Sequence, residues 1–259
     1  MSEVKSAETV KSLGRAFEII EYLAKNGEEA GVKQIADNIN ASMSTVYRQL
    51  NTLKDMGYIF QNPNNSKYWL GLRFYMLGNL VKNNLPIVNL MSQQADELAQ
   101  KYKQTVYIAV PDYTSDFCAQ QAIIYKKSYN PIIFRNEAVV GTISPSHSAA
   151  SGKCMMAYYP ESLMKMYHQY PLSRITNRTI SDWNVMDREL ETIRIRGYAL
   201  DSEEEEEGKT CIAIPILDSY QNVIASISLS GPTATLLQNP IMEIVNNLKD
   251  VGKPIIAEI

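Results

Sequence analysis

Three cysteines, two histidines and two tryptophans are all that the 259 residues hold of those types. Cys118, Cys154 and Cys211 are odd in number and far apart, so they fit neither a disulfide framework nor a zinc spacing. His147 and His168 do not cluster with them, and no metal or cofactor is expected. There is no Gly-rich phosphate loop, no His-Glu-x-x-His and no Gly-x-Ser-x-Gly, which removes the common nucleotide-binding, metalloprotease and hydrolase signatures. No Cys-His pair stands at an informative spacing, so nothing orients a base toward a nucleophile. No run of some 18 apolar residues occurs, and no membrane span is expected. The N-terminus, Met-Ser-Glu-Val-Lys-Ser-Ala-Glu, lacks the apolar stretch of a secretory signal. A reducing cytoplasm is the expected location. A strong basic excess is missing too: the net charge of −3 argues against coating nucleic acid indiscriminately.

What is present is a globular composition, 45% hydrophobic and 20% charged, long enough for one large domain or two ordinary ones. Charge is uneven. Residues 42–73 hold four basic side chains (Arg48, Lys54, Lys67, Arg73) against one acidic (Asp55). That segment also carries the most informative pattern. Ser44 to Met56 reads as a helix, with Ser42 as N-cap and Gly57 at the C′ position that needs positive φ. At 100° per residue, Val46, Leu50 and Leu53 share one face. Ser44, Arg48 and Asn51 lie opposite, flanked by Thr45, Tyr47 and Thr52, groups of the kind that meet base edges and phosphates.

An ordinary amphipathic surface helix has the same periodicity; the neighbouring segments favour a recognition helix. Val10 to Asn26 predicts a first helix with Leu13, Ala16, Phe17, Ile20, Leu23 and Ala24 inward. Val32 to Ile39 predicts a second. After the third, Tyr58–Asn62 and Lys67–Leu70 read as strands around the turn residues Pro63-Asn64-Asn65-Ser66. Three helices and a hairpin describe a winged helix-turn-helix, with Lys67 near the wing tip placed for a phosphate. Tyr68 and Trp69 read as hairpin packing. Leu72 to Lys82 predicts a linker helix whose stripe of Leu72, Tyr75, Met76 and Leu80 suggests pairing with another chain. Asn83-Asn84-Leu85-Pro86 breaks it.

The second half has a different texture. Helices are expected at Ile87–Tyr102, Ser148–Tyr159 and Pro160–Tyr170, from a cap at Ser181 to Gly197, and at Pro240–Ile259. Strands are expected at 105–110, 117–125, 132–134, 198–200, 210–217 and 223–230. Hairpinned strands flanked by helices predict an α+β fold with an antiparallel sheet. The domain expectation is 1–71 for the winged helix, 72–85 for the linker helix and 86–259 for a second domain.

The motifs now in view resemble the IclR type of bacterial transcriptional regulator. Ser44-Thr45-Val46-Tyr47-Arg48-Gln49-Leu50, Leu53-Lys54-Asp55-Met56-Gly57-Tyr58 and Tyr68-Trp69-Leu70-Gly71 are similar to that family's winged helix. Ala150-Ser151-Gly152-Lys153, Gly197-Tyr198-Ala199-Leu200-Asp201, Gly208-Lys209-Thr210-Cys211-Ile212-Ala213-Ile214-Pro215 and Ser228-Leu229-Ser230-Gly231-Pro232 are similar to its effector domain. The series keeps its order over nearly the whole chain. The resemblance implies a GAF-like effector domain, a dimer or dimer of dimers, double-stranded operator DNA as partner, and a small organic effector. It places Ala150 and Ser151 at the effector, with Asp201, Cys211, Ser228 and Ser230 on the far side. Two departures are visible. Ser42-Met43 stands where many members have Pro-Lys, which removes a positive charge, and Ala150-Ser151 makes the pocket floor more polar.

The chemistry of these positions is that of a receptor for a small organic acid or sugar acid. A helix starting among Ser148–Ser151 offers free N–H groups and a partial positive charge. Ser228, Ser230 and Asp201 suit hydroxyls, and Ile132, Ile133 and Phe134 suit an apolar wall. Plainer readings exist. Cys211 is an ordinary small buried residue, Ser228 and Ser230 alternate on one side of a strand, and Asp201 caps a turn or pairs with Lys209. Glu203–Glu207 reads as a solvated loop. A redox enzyme using the three thiols is the rival from another class.

Overall fold

The computed structural model describes residues 10–256 apart from 116, 131, 133, 135 and 136. Ile133, expected in the apolar wall, therefore lies outside the described residues. The chain divides into two compact units, Met1–Asn84 and Leu85–Ile259.

In the first unit α1 (Lys11–Asn26), α2 (Val32–Asn38) and α3 (Met43–Asp55) precede a hairpin of β1 (Ile59–Gln61) and β2 (Tyr68–Leu70), and α4 (Leu72–Asn83) follows. Gly27 ends α1 with φ 71°, and Gly57 follows α3 with φ 80°, conformations that cost a side chain strain. Ile19, Leu23, Ile35, Val46, Leu50 and Tyr68 form the core. Each such burial is worth roughly 1.5–3 kcal/mol. The inward face of α1 is thus Ile19 and Leu23; Leu13 and Phe17, expected inward, are exposed. Ile59 pairs with Leu70 and Gln61 with Tyr68. Ala30 adds a bridge to Tyr68, exchanging both backbone hydrogen bonds with it (3.0 and 2.8 Å), so the wing is anchored to the turn before α2. No residue of α4 is buried.

The second unit opens with α5 (Pro86–Tyr102). It then runs β3 (Thr105–Asp112), β4 (Gln120–Ser128), β5 (Ile143–Pro145), α6 (Ala150–Met156), α7 (Glu161–Tyr167) and α8 (Trp183–Arg196). β6 (Ala199–Ser202), β7 (Lys209–Leu217), β8 (Val223–Pro232), α9 (Thr233–Leu236) and α10 (Ile241–Ile256) complete it. The sheet has the order β5-β4-β3-β8-β7-β6, and every neighbouring pair is antiparallel. One face, with Val106, Ile108, Ile212, Ile214, Ile227 and Leu229, packs under α5 and α10. The other carries Tyr107, Ala109, Cys211 and Ala213 against α6 and α8. Its small residues let α6 come close: a Cβ on Gly152 would stand 2.2 Å from Ser146 O.

Several boundaries differ from the sequence reading. β4 begins at Gln120, leaving Phe117 exposed with its ring edge-on to Tyr170 (centroids 5.3 Å). Ile132 and Phe134 lie outside any strand, and β5 was not expected. The helix expected from Ser148 is split into a 3-10 turn, Ser146–Ser148, and α6. The N-cap of α8 is Asp182, whose Oδ1 accepts from the Val185 N–H, rather than Ser181, which bonds Arg174 instead.

Candidate functional site

Ser42 caps α3: its Oγ accepts from the Thr45 N–H at 3.3 Å and shares hydroxyl hydrogen bonds with Ser44 (3.1 Å) and Thr45 (2.8 Å). With Val46 and Leu50 locked in the core, the remaining surface of α3 is turned outward. Ser42, Ser44, Tyr47, Arg48 and Thr52 are exposed, and Thr45 and Asn51 are half-buried. Thr52 Oγ1 donates back to Arg48 O at 3.1 Å, fixing that hydroxyl along the helix. Thr45, Arg48, Asn51 and Thr52 also form the polar margin of an apolar groove between α1, α3 and α4, where Leu13, Phe17, Leu53, Met56, Phe74 and Leu77 converge.

The wing tip is less positive than composition suggested. Asn62 and Asn65 both donate side-chain N–H groups to Glu29 (2.8–3.0 Å), tying the hairpin turn to the segment before α2. Those hydrogen bonds, Asn65's first, hold the Glu29 carboxyl below its ordinary range, with Lys67 adding to the effect. Lys67 is exposed, as expected for a phosphate contact, but it shares its surface with Glu28 and Glu29.

In the second unit a narrow cleft opens between α6 and the inner face of the sheet. Ala150 and Ser151 from α6, Cys211 from β7 and Ser228 from β8 line it together. They meet because register places Cys211 opposite Ser230 and Ala213 opposite Ser228. Asp201 and Ser230 are not in the lining. The Asp201 carboxylate is fully buried and caps a turn, its Oδ1 accepting from the N–H groups of Glu204 (2.7 Å) and Glu205 (3.4 Å). Ser230 accepts from the Cys211 thiol at 3.0 Å. The remaining lining includes Tyr107, Gln121, Ile123 and Ser144, none of them singled out in the sequence. Ser151 Oγ donates to Gln121 Oε1 at 2.6 Å, and Gln121 Nε2 donates to Ser144 Oγ at 3.3 Å.

Two charges complete the cleft, Lys209 and Glu205, with Nζ to Oε2 at 2.7 Å. Burial opposes the ammonium, but Cys211 and Glu205 more than reverse this and hold Lys209 above its ordinary value. Lys209 Nζ also lies 6.0 Å from the Phe134 ring centroid. A strand signal existed for this lysine: Lys209, Cys211 and Ala213 alternate onto one face. The glutamate run is not a solvated loop. Thr176 and Thr179 hydroxyls donate to the carbonyls of Glu203 and Glu204 (both 2.7 Å), and Glu204 forms a buried pair with Lys153 at 2.5 Å. Burial raises the Glu204 carboxyl, and Lys153 opposes that rise.

Two of the three thiols, Cys154 and Cys211, have the wrong character for redox chemistry. Burial pushes Cys154 up to about 12 and Cys211 higher still, whereas reactive cysteines have lowered values. Among the described residues no helix is long and apolar enough to cross a membrane.

Residues 80–257 match the bacterial transcriptional regulator IclR C-terminal model, and residues 12–63 match the IclR helix-turn-helix domain. The chain is 30% identical over 256 residues to the HTH-type transcriptional regulator KdgR of Escherichia coli strain K12, covering 98% of this chain and 94% of that one. The crystal structure of the Thermotoga maritima IclR superposes with a TM-score of 0.74 at 28% identity, covering 96% and 99% of the two chains. An IclR homolog complexed with 4-hydroxybenzoate, from Microbacterium hydrocarbonoxydans, has a TM-score of 0.80 at 22% identity, covering 93% and 95%.

Proposed function

Because the chain belongs to the IclR family of DNA-binding transcriptional regulators, we propose that it is switched on its operator by a small organic acid held in the cleft between α6 and the sheet. The observation that carries the DNA half is α3. Its core face is buried, and Ser42, Ser44, Tyr47, Arg48 and Thr52 are exposed on the other side. Arg48 supplies the charge and fork geometry for guanine or phosphate, and Ser44, Thr45, Asn51 and Lys67 support it. The effector half rests on the cleft that joins the small-residue helix, Cys211 and Ser228 to a buried ammonium. Its one cation, Lys209, paired with Glu205, suits a carboxylate, and a protein of this fold is bound to 4-hydroxybenzoate, which is such an acid.

Self-association belongs to the same reading. α4 leaves Leu72, Tyr75, Met76 and Leu80 more than half exposed, and α1 does the same with Leu13 and Phe17. A second copy covering these faces gives two recognition helices, able to read half-sites about 34 Å apart. The effector acts only through a difference in affinity between DNA-competent and incompetent arrangements.

Arg48→Ala tests the DNA assignment. Fluorescence anisotropy on the chain's own upstream DNA is expected to show affinity lower by about 1–3 kcal/mol. Undiminished affinity contradicts the placement of α3 on DNA.

A further inference from the structure

We propose that Lys209 is the group that recognises the acid, and that the effector's carboxylate takes the place of Glu205 on its ammonium. This rests on the reading of the cleft as the effector site and adds the residue that sets its selectivity.

The ion pair is lopsided in a way that suits exchange. The Lys209 side chain is 3% exposed and Glu205's is 21% exposed. The lysine is fixed by the strand, and by alternation its side chain shares the face of Cys211 and Ala213. The glutamate belongs to the turn that joins β6 to β7, and water already reaches it. A buried ammonium without a counter-ion is costly. Whatever enters the cleft must therefore either leave Glu205 in place or replace its charge. A neutral ligand leaves the pair intact and gains nothing from Lys209. A cationic ligand meets repulsion from it. A carboxylate exchanges one anionic partner for another, with the released Glu205 returning to solvent, so the swap leaves no charge buried alone.

The surroundings supply the rest of a hydroxy- or oxo-acid site. Ser228 and Tyr107, each with a hydroxyl, line the same cleft, and no side-chain hydrogen bond is seen for either among the described residues. Gln121 is held between Ser151 and Ser144 with its amide beside them. Ile123 and Ala138 close the apolar side. The ligand class is a compact carboxylate that also bears a hydroxyl or carbonyl oxygen.

The test is isothermal titration of the full chain with matched acids and amides: lactate and lactamide, pyruvate and pyruvamide, 4-hydroxybenzoate and 4-hydroxybenzamide. At least one acid is expected to bind, with its amide weaker by about 10- to 100-fold, the range for losing one charge-assisted hydrogen bond. Lys209→Met is expected to lose that acid to the same extent. Glu205→Gln is expected to bind it several-fold more tightly, because the competing carboxylate is gone; a purely structural ion pair predicts no gain. Lys209→Met/Glu205→Gln removes both charges and guards against misfolding of the single variant, and it too is expected to lose the acid. Acid binding within about twofold of wild type in the double variant overturns the role of Lys209 while leaving the effector site standing. Preference for the amides overturns it as well. Binding by no compound of the panel removes the acid-effector reading itself, and this inference with it.

Discussion

Gly152 Cα lies so close to the backbone of Ser146 that a Cβ there would meet the Ser146 carbonyl oxygen at 2.2 Å and its Cα at 2.4 Å. The 3-10 turn before α6 is folded back on the helix at this contact. Ala150 and Ser151, which line the cleft, directly precede Gly152. Gly152→Ala is expected to destabilise the chain by about 1–3 kcal/mol, toward the upper end because the obstruction is backbone that cannot rotate away. Urea unfolding measures it, and an unchanged midpoint contradicts the packing described.

Asp201 gives a pH signature. Burial, and then the charge of Glu205, raise its carboxyl from 3.8 to about 7 in the folded chain. Between those values the folded chain keeps a proton that the unfolded chain has released, so stability from this group is full below about pH 4 and is lost as pH rises toward 7. Asp201→Asn keeps an oxygen to accept from the Glu204 N–H and carries no titrating proton. Its unfolding free energy is expected to fall less between pH 5 and pH 8 than that of wild type. Equal slopes for the two proteins contradict the assignment.

The exposed stripe of α4 predicts association. Leu80 is 59% exposed and Met76 63%. Sedimentation of the wild-type chain is expected to give at least twice its 29.2 kDa mass, and Met76→Glu/Leu80→Glu to give the single-chain mass. A wild-type monomer at micromolar concentration contradicts a second copy covering this face.

The recognition helix was legible in the sequence because its ends are written in local chemistry: Ser42 as cap and Gly57 at positive φ are choices that neighbouring residues make. The hairpin was legible for the same reason, through Pro63-Asn64-Asn65-Ser66. The wing's tie to Glu29 was not, because it joins side chains 33 and 36 positions apart. In the second unit the small-residue helix, Cys211 and Ser228 were found by motif. Lys209 and Glu205 were missed because charged residues at a strand end normally face water, and only the tertiary packing around the cleft buries the lysine. Asp201 was singled out for the cleft, and the alternative weighed beside it, a turn cap, is the geometry seen. Ser181 and Asp182 are both good cap residues; Arg174, holding Ser181, leaves the cap to Asp182.

The most direct measurement is a mobility shift of the full chain on the DNA upstream of its own gene, with and without the matched acids and amides. A specific shift is expected at low salt, one that a single acid, and not its amide, strengthens or abolishes. A well-folded chain that shifts no fragment, or one whose shift ignores every acid and follows a neutral compound instead, contradicts it.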